Sequence, residues 1–453
     1  MEKIHIYHTN DIHSHLEYWS RIREFLQKQK EEYIDQENEV FLFDIGDFVD
    51  RWHPLSEGTK GKGNISLLNQ CGYTAVTIGN NEGINFSFED LDHLYDDAEF
   101  DVLTANLYKQ EMKHPHWINP YKIYNTHLGT RVGVIGVTAF FSELYHLLGW
   151  EITEPLLELR KWVGIVKEQA DVIVLLSHLG IHADEKIATE FPEIDVILGG
   201  HSHHTLPNGE QINQSILAAA GKYGEYIGKV TLEINDQKTV ESKGAVLYEV
   251  ALLSETLTEK SEAIALYKRG KGMLSQKIVT LPNALVHNPN VETELSILLC
   301  RALKEWCKAD CAILNAGILL GSLSEEVTNF DLLTICPHPI NPCKIELTGS
   351  QVEEVYLQSL DEKWQDMKVK GFGFRGSVMG KFIHEGIRVD KEKEVILINN
   401  AKINPTETYS VAIPDMLTFG KFFPTIHSCK LKKYYLPEFL RDLLKWKLEK
   451  TFT

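Results

Sequence analysis

Apolar and polar residues alternate over residues 3–8, apolar residues recur at helical spacing over 19–33, and a short apolar run occupies 40–44. Period two predicts a strand and recurrence every three to four positions a helix. The same reading places a helix at 64–71, strands at 74–78, 101–105, 132–137, 172–177 and 196–199, and helices at 155–169 and 184–191. Strands alternating with helices in this way predict a layered α/β domain. Beyond Gly200 the rhythm changes: residues 215–220, 227–234 and 245–253 read as strands without helices between them, which predicts a second, more antiparallel sheet closing the same domain. A charged helical stretch over 255–277, broken by Gly270 and Gly272, reads as a linker helix. The remainder opens with a helix at 292–308 and continues as mixed α+β, with no internal repeat or low-complexity tract.

A chain of 453 residues exceeds one compact core. We therefore expect a first domain over 1–253, a linker helix over 254–280 and a smaller second domain over 281–453. The formal net charge of −18 offers no basic stripe for a duplex phosphate backbone. It is compatible with small phosphorylated ligands, because bound cations invert the local potential. No apolar stretch approaches a membrane span, and residues 1–5 lead straight into strand-like sequence without a secretory signal. The seven cysteines lack CxxC spacing, so Cys300, Cys307, Cys311, Cys336 and Cys343 read as buried free thiols in preference to a zinc site. The expected setting is a reduced cytoplasm with no membrane partner, and the oligomeric state is left open.

Where the predicted strands of the first half run out, five polar strings stand: Asp11-Ile12-His13, Gly46-Asp47, Gly79-Asn80-Asn81-Glu82, Ser177-His178 and Gly199-Gly200-His201-Ser202-His203. Each alone is an ordinary turn or cap. Together, at one edge of a sheet, they form a mixed carboxylate, amide and imidazole set that suits paired divalent cations. Apolar strand sequence precedes each string except the first, whose strand reads as amphipathic. Oxygen-rich ligation with some nitrogen favours Mn, Zn, Fe or Co over an all-oxygen magnesium site.

In these strings, in this order, the chain resembles the dinuclear calcineurin-like metallophosphoesterases and specifically their 5'-nucleotidase branch. Asn315-Ala316-Gly317 and Leu347-Thr348-Gly349 resemble that branch's second domain. The resemblance implies a four-layer αββα sandwich followed by a smaller α+β domain. It implies that Asp11, His13 and His203 hold one metal ion, that Asn80, His178 and His201 hold another, and that Asp47 bridges them. It further implies phosphoester hydrolysis of a nucleotide or related small phosphorylated molecule by a metal-bridging hydroxide.

Two departures stand out. The family string Gly-Asn-His-Glu-Phe-Asp carries the acid and the carboxylate that orients it, yet here Asn81 and Ile84 occupy those places. Asparagine donates a hydrogen bond but transfers no proton, a loss of about 10²–10⁴-fold where the leaving group needs one. Three readings stay open: His204 or His182 supplies the proton; the leaving group needs none, as in a nucleotide pyrophosphatase or cyclic phosphodiesterase; or the chain is a nucleotide-binding sensor with little turnover. Of these, a working hydrolase is favoured, with Asn81 and His204 as its catalytic candidates. The second departure lies after Asn315-Ala-Gly317, where the family has a substrate-facing Arg and the run Ile318-Leu319-Leu320-Gly321 here offers an aliphatic residue that cannot make its bidentate contacts. In the family, two aromatic rings grip the base; here Phe374 and Phe423 are the expected pair, with Asn315 and Arg375 as polar contacts. His338 and Asn341, in a Pro-rich loop, either face a cleft or satisfy that loop's own backbone.

Overall fold

The computed structural model describes residues 2–34, 38–390, 392–393 and 395–452. The chain divides into two compact units, Met1–Gly270 and Lys271–Thr453.

In the first unit, two sheets lie face to face. One runs Val240–Glu249, Tyr226–Ile234, Glu2–Thr9, Glu39–Asp44, Ala75–Val76, Asp101–Leu103, Ile118–Asn119. The other runs Glu210–Ile212, Ser215–Ala219, Val196–Gly199, Val172–His178, Arg131–Thr138, Tyr121–Asn125. Their central strands are parallel, and the antiparallel strands sit at the margins. Ile4, Ile6, Phe41 and Phe43 from one sheet interdigitate with Val134, Val174, Leu176 and Leu198 from the other, forming the core. On the outer face of the second sheet, Ile135, Ile173 and Leu175 bury against Leu159 and Val163 of helix Pro155–Val166 and Ile187 of helix Ile181–Glu190. Helices Trp19–Ile34 and Lys62–Cys71 accompany the first sheet. This is the four-layer αββα sandwich expected from the sequence.

Three expectations need correction. The strands after Gly200 do not make a sheet of their own. Ser215–Ala219 extends the second sheet beside Val196–Gly199, while Tyr226–Ile234 and Val240–Glu249 extend the first sheet from Glu2–Thr9. Both sheets had an open edge to fill, and edges left unpaired are unfavourable. Next, Glu2–Thr9 is buried on both faces apart from Lys3, because it lies inside its sheet between the core and a helix. Its alternating pattern reflects His5 and Tyr7, whose rings pack on Tyr33 and Phe25 of helix Trp19–Ile34. Finally, helix Glu259–Met273 runs unbroken through Gly270 and Gly272. A Cβ at Gly270 would lie 2.2 Å from Leu55 N and Pro54 C, so this glycine permits close backbone approach and does not end the helix.

In the second unit a five-stranded sheet runs Phe382–Glu385, Cys311–Asn315, Thr408–Pro414, Pro342–Thr348, Lys432–Tyr434. Helix Glu294–Cys307, with an apolar face of Leu295, Leu298, Leu299 and Leu303, packs on this sheet and on helix Leu440–Phe452. The five cysteines named above are free and buried, and no group of them gathers into a metal site among the described residues. No helix among those residues is long and apolar enough to cross a membrane.

Asp415 is buried in this unit, and burial pushes its carboxyl up to about 8 despite backbone N–H groups of Asn341 and Met416. A carboxyl whose folded pKa lies above the unfolded value holds its proton more tightly when folded. Its contribution to stability is therefore complete below the unfolded pKa near ~3.9 and is lost as pH rises through about 8. Asp415→Asn, which cannot ionise, is expected to flatten the fall in melting temperature between acid and alkaline buffers; an unchanged fall would show that Asp415 does not carry it.

Candidate metal centre

The five strings converge at one edge of the sandwich because each follows a strand of the two facing sheets. His178 ends strand Val172–His178, the third string opens the short helix Asn80–Ile84 that follows Ala75–Val76, and the others sit in the loops after Glu2–Thr9, Glu39–Asp44 and Val196–Gly199. These loops turn sharply: Asp11, His13, Asp47, His201 and His203 all have left-handed backbone, with φ of 52°, 50°, 53°, 70° and 57°. Asp and His tolerate that region better than most residues, but such clustering is strain held at one place, a hallmark of functional loops. Glycine makes the approach possible. A Cβ on Gly46 would lie 2.3 Å from Gly79 N, and one on Gly79 would lie 2.0 Å from Asp47 Oδ1.

Two groups of ligand atoms result, Asp11–His13–His203 and Asp11–Asp47–His178, each within 4.8 Å. His13 Nε2 lies 3.1 Å from His203 Nε2 and 3.7 Å from Asp11 Oδ1, and His203 Nε2 is 3.4 Å from that same oxygen. Asp47 reaches both groups, Oδ2 lying 3.7 Å from His13 Nε2 and Oδ1 3.5 Å from His178 Nε2. His201 Nδ1 and Asn80 Oδ1 approach to 2.7 Å, and the His178 and His201 rings lie 5.2 Å apart.

The donor set fits cations. Ligand bonds of about 2.1 Å separate neighbouring ligand atoms by roughly 3 Å, close to the distances seen. His178 Nδ1–H donates to Ile45 O at 2.6 Å, which leaves Nε2 buried, without a hydrogen-bond partner and facing Asp47. Likewise His13 Nδ1 faces Asp50 Oδ2 at 3.3 Å while its Nε2 faces the cluster. Outer hydrogen bonds of this kind fix which nitrogen is free to ligate. Electrostatics agree. Burial disfavours protonated His178, yet Asp47 and Asp11 raise it to about 10. Burial also opposes ionisation of Asp47, but His178 and His13 hold its carboxyl far below the usual range. A pocket that stabilises positive charge on imidazole this strongly will also stabilise a cation.

Asn81 is drawn inward. It is buried, its amide nitrogen lies 2.7 Å from His13 Nδ1 and 3.4 Å from Asp50 Oδ2, and its Oδ1 accepts from Asn85 Nδ2 at 2.9 Å. His204 is not brought into the cluster: it is exposed, with Nδ1 at 2.8 Å from Ser202 Oγ. His182 is exposed too and sits against Glu185.

Sequence reasoning gave no role to three residues here. Glu82 accepts the backbone N–H groups of Asp47, Val49 and Gly79 at 3.0, 2.8 and 2.9 Å, stapling two ligand loops together. Asp50 orients His13. The third is Tyr145, fully buried on helix Ser142–Leu148, whose hydroxyl fills the space beside Gly83. A Cβ at Gly83 would lie 1.9 Å from Tyr145 Oη, which explains glycine at the position after Glu82. Gly83→Ala is expected to lower stability by about 1–3 kcal/mol through overpacking. Tyr145→Phe in that background should recover part of the loss; urea titration showing two independent effects would exclude this contact.

In the second unit, the expected aromatic pair is corrected. Phe423 is completely buried, stacked on Trp364 at 5.0 Å and edge-on to Phe382, so it belongs to the core. Phe374 is 5% exposed and stacks on His338 at 5.1 Å. Neither ring has a face for a base. Their neighbours are more open: Phe372 is 44% exposed, has a left-handed φ of 56°, and meets half-buried Phe422 edge to face at 5.7 Å. His338 satisfies its loop, facing Ile318 O at 2.8 Å through Nε2 and accepting Arg375 N–H at 2.9 Å through Nδ1. Burial pushes it down to about 3, so the ring is neutral. Asn341 likewise serves the backbone, donating to Glu438 O. Asn315 is buried and donates to Met379 O at 3.3 Å.

Comparison with known proteins agrees with this geometry. Residues 4–205 match the calcineurin-like phosphoesterase family and residues 275–424 the 5'-nucleotidase C-terminal domain. The chain is 41% identical to the uncharacterized metallophosphoesterase YunD of Bacillus subtilis (strain 168), over 99% of each protein. Among solved structures, it shares its fold with a Staphylococcus aureus protein described as a candidate 5'-nucleotidase in complex with alpha-ketoglutarate (TM-score 0.71, 18% identity, 100% of this chain and 97% of that one). It also shares it with the Haemophilus influenzae NAD nucleotidase (TM-score 0.67, 18% identity, 99% and 96%). The chain belongs to the calcineurin-like metallophosphoesterases, enzymes with a dinuclear divalent metal centre that hydrolyse phosphoesters, and it carries a 5'-nucleotidase C-terminal domain.

Proposed function

We propose that this enzyme hydrolyses a nucleotide or a related small phosphorylated molecule, with two ions drawn from Mn, Zn, Fe or Co. The observation that carries this reading is the buried, partnerless His178 Nε2 facing Asp47, whose other oxygen faces His13. Asp11, His13 and His203 would hold one ion, Asn80, His178 and His201 the other, and Asp47 would serve both. When bound, such ions lower the pKa of water and neutralise charge on phosphoryl oxygens. The protein contributes rigidity. Glu82 ties the Asp47 and Asn80 loops together, Ile45 O and Asp50 fix the imidazoles, and His201 N–H holds Asp11 through both carboxylate oxygens at 3.1 and 3.0 Å. Asn81 holds no transferable proton and acts as a positioning group for His13.

Phe372 and Phe422 are the aromatic platform we assign to a base, in place of the buried pair. Phe372→Ala is expected to raise KM for a nucleoside monophosphate about tenfold. KM for inorganic pyrophosphate should change little, and an equal change in both would remove the platform. A cytoplasmic setting is supported by free cysteines, all buried except the partly exposed Cys429. A small-molecule ligand in place of duplex nucleic acid is supported by the net charge of −18.

The absence of an acid at Asn81 favours one second reading, a phosphoanhydride or other ester whose leaving group departs unprotonated. Assays of a nucleoside monophosphate, a nucleotide sugar and an activated aryl phosphate with added Mn²⁺ test both. Turnover of the monophosphate supports the first reading, and turnover of only the good leaving groups supports the second. Metal and nucleotide binding without any turnover would reject both.

A further inference from the structure

Beside the metal centre, within the first unit, lies a cavity of about 320 Å³ with His201 in its wall. The rest of the lining comes from separate elements. Phe140 and Phe141 precede helix Ser142–Leu148, Leu156 lies in the first turn of helix Pro155–Val166, Leu179 follows His178, and Ala183 lies on helix Ile181–Glu190. The volume falls in the range of small-molecule sites, which are mostly apolar with a few polar groups.

We propose that this cavity receives an aromatic group of the phosphoester substrate other than the base assigned to Phe372 and Phe422, holding it against the first unit while its phosphoryl group lies at the metal centre. The proposal rests on the reading of that centre as a phosphoester-hydrolysing site. Continuity is the first argument. His201, which approaches Asn80, also lines the cavity, so a molecule whose phosphate sits among the ligands has the cavity next to it. Composition is the second. The Phe141 ring stands edge to face with His201 at 6.0 Å and an angle of 64°, leaving an aromatic wall to which a further ring can add in the same manner. Phe140 is 45% exposed, a large apolar side chain left at the surface beside the site. The polar groups are placed for an aromatic guest. Glu154 is committed to capping its helix, accepting Leu157 N–H at 3.0 Å. Lys186 is half exposed and lies 3.7 Å from Glu190, a loose pairing that leaves its ammonium able to face a ring.

The test is a binding titration on the full, Mn²⁺-loaded chain with two non-hydrolysable probes, methylphosphonate and naphthylmethylphosphonate. The expected result is that the naphthyl compound binds at least about tenfold more tightly, the gain from burying one aromatic ring. Ala183→Phe, which fills the cavity, should erase that preference. Leu156→Asp, at a partly exposed position in a helix first turn where a carboxylate suits the fold, should reduce it by a similar factor and stands in if Ala183→Phe does not fold. Equal binding of the two probes, or a preference that survives both substitutions, overturns the proposal. Hydrolysis of methyl and naphthyl phosphate separates the two readings. Turnover with no naphthyl preference in binding rejects the cavity and leaves the function standing. Naphthyl-dependent binding without turnover supports the cavity and rejects the function.

Discussion

Asp47→Asn is expected to give a folded chain that retains fewer than two ions and loses hydrolysis by about 10³-fold. The size follows from its place. Asp47 is nearly fully buried, and its two oxygens address different ligand groups, Oδ1 toward His178 and Oδ2 toward His13. Asparagine keeps the shape and can still accept Asn81 N–H, which now meets Oδ1 at 2.7 Å. It removes the charge, and it turns an amide N–H₂ toward one of the two groups. Two cations held within a few ångströms repel each other strongly unless an anion lies between them. Losing that anion should therefore empty one site before the other. Metal content by mass spectrometry, far-ultraviolet circular dichroism and turnover of an aryl phosphate check this together. Unchanged metal content with unchanged turnover would mean that Asp47 does not bridge, and the dinuclear assignment would fall with it.

The ligand strings could be read from sequence because two local requirements coincide in them. Asp, Asn, His and Gly are the residues that tolerate sharp left-handed turns, and three of them are also metal ligands. Gly46-Asp47 and Gly200-His201 thus announce both a turn and its chemistry. What escaped the sequence was set by packing between distant segments. Nothing near residues 215–249 says that one strand joins Val196–Gly199, the next joins Glu2–Thr9 and the last adds to that one, because pairing is decided by which sheet edge is free. The expected aromatic pair turned inward for a related reason. In Gly371-Phe-Gly-Phe374 either ring can turn inward, and the flat face of His338 captured Phe374. Gly83 is legible only once Tyr145 is seen against it.

Hydrolysis should depend steeply on the leaving group, and this is the second large effect. Asn81 occupies the place of an acid, is buried, and has its amide engaged by His13, Asp50 and Asn85. Nothing in that arrangement delivers a proton to a departing alkoxide. Without such a donor, an ester with a poorly acidic alcohol is disadvantaged by about 10²–10⁴-fold relative to one whose leaving group departs as a stable anion. Across a series from nitrophenyl through phenyl to alkyl phosphates, kcat/KM should therefore fall by orders of magnitude; a flat series would reveal a proton donor other than Asn81. Asn81→Ala sharpens the point. A residue that only positions His13 should, when truncated, lower metal affinity and turnover of every ester by a common factor of about 10–100, with the slope across the series unchanged. A residue that assists departure should instead damage the alkyl esters most. The 2.7 Å approach of its amide to His13 Nδ1 favours the common factor, because truncation there loosens the ring of a proposed metal ligand.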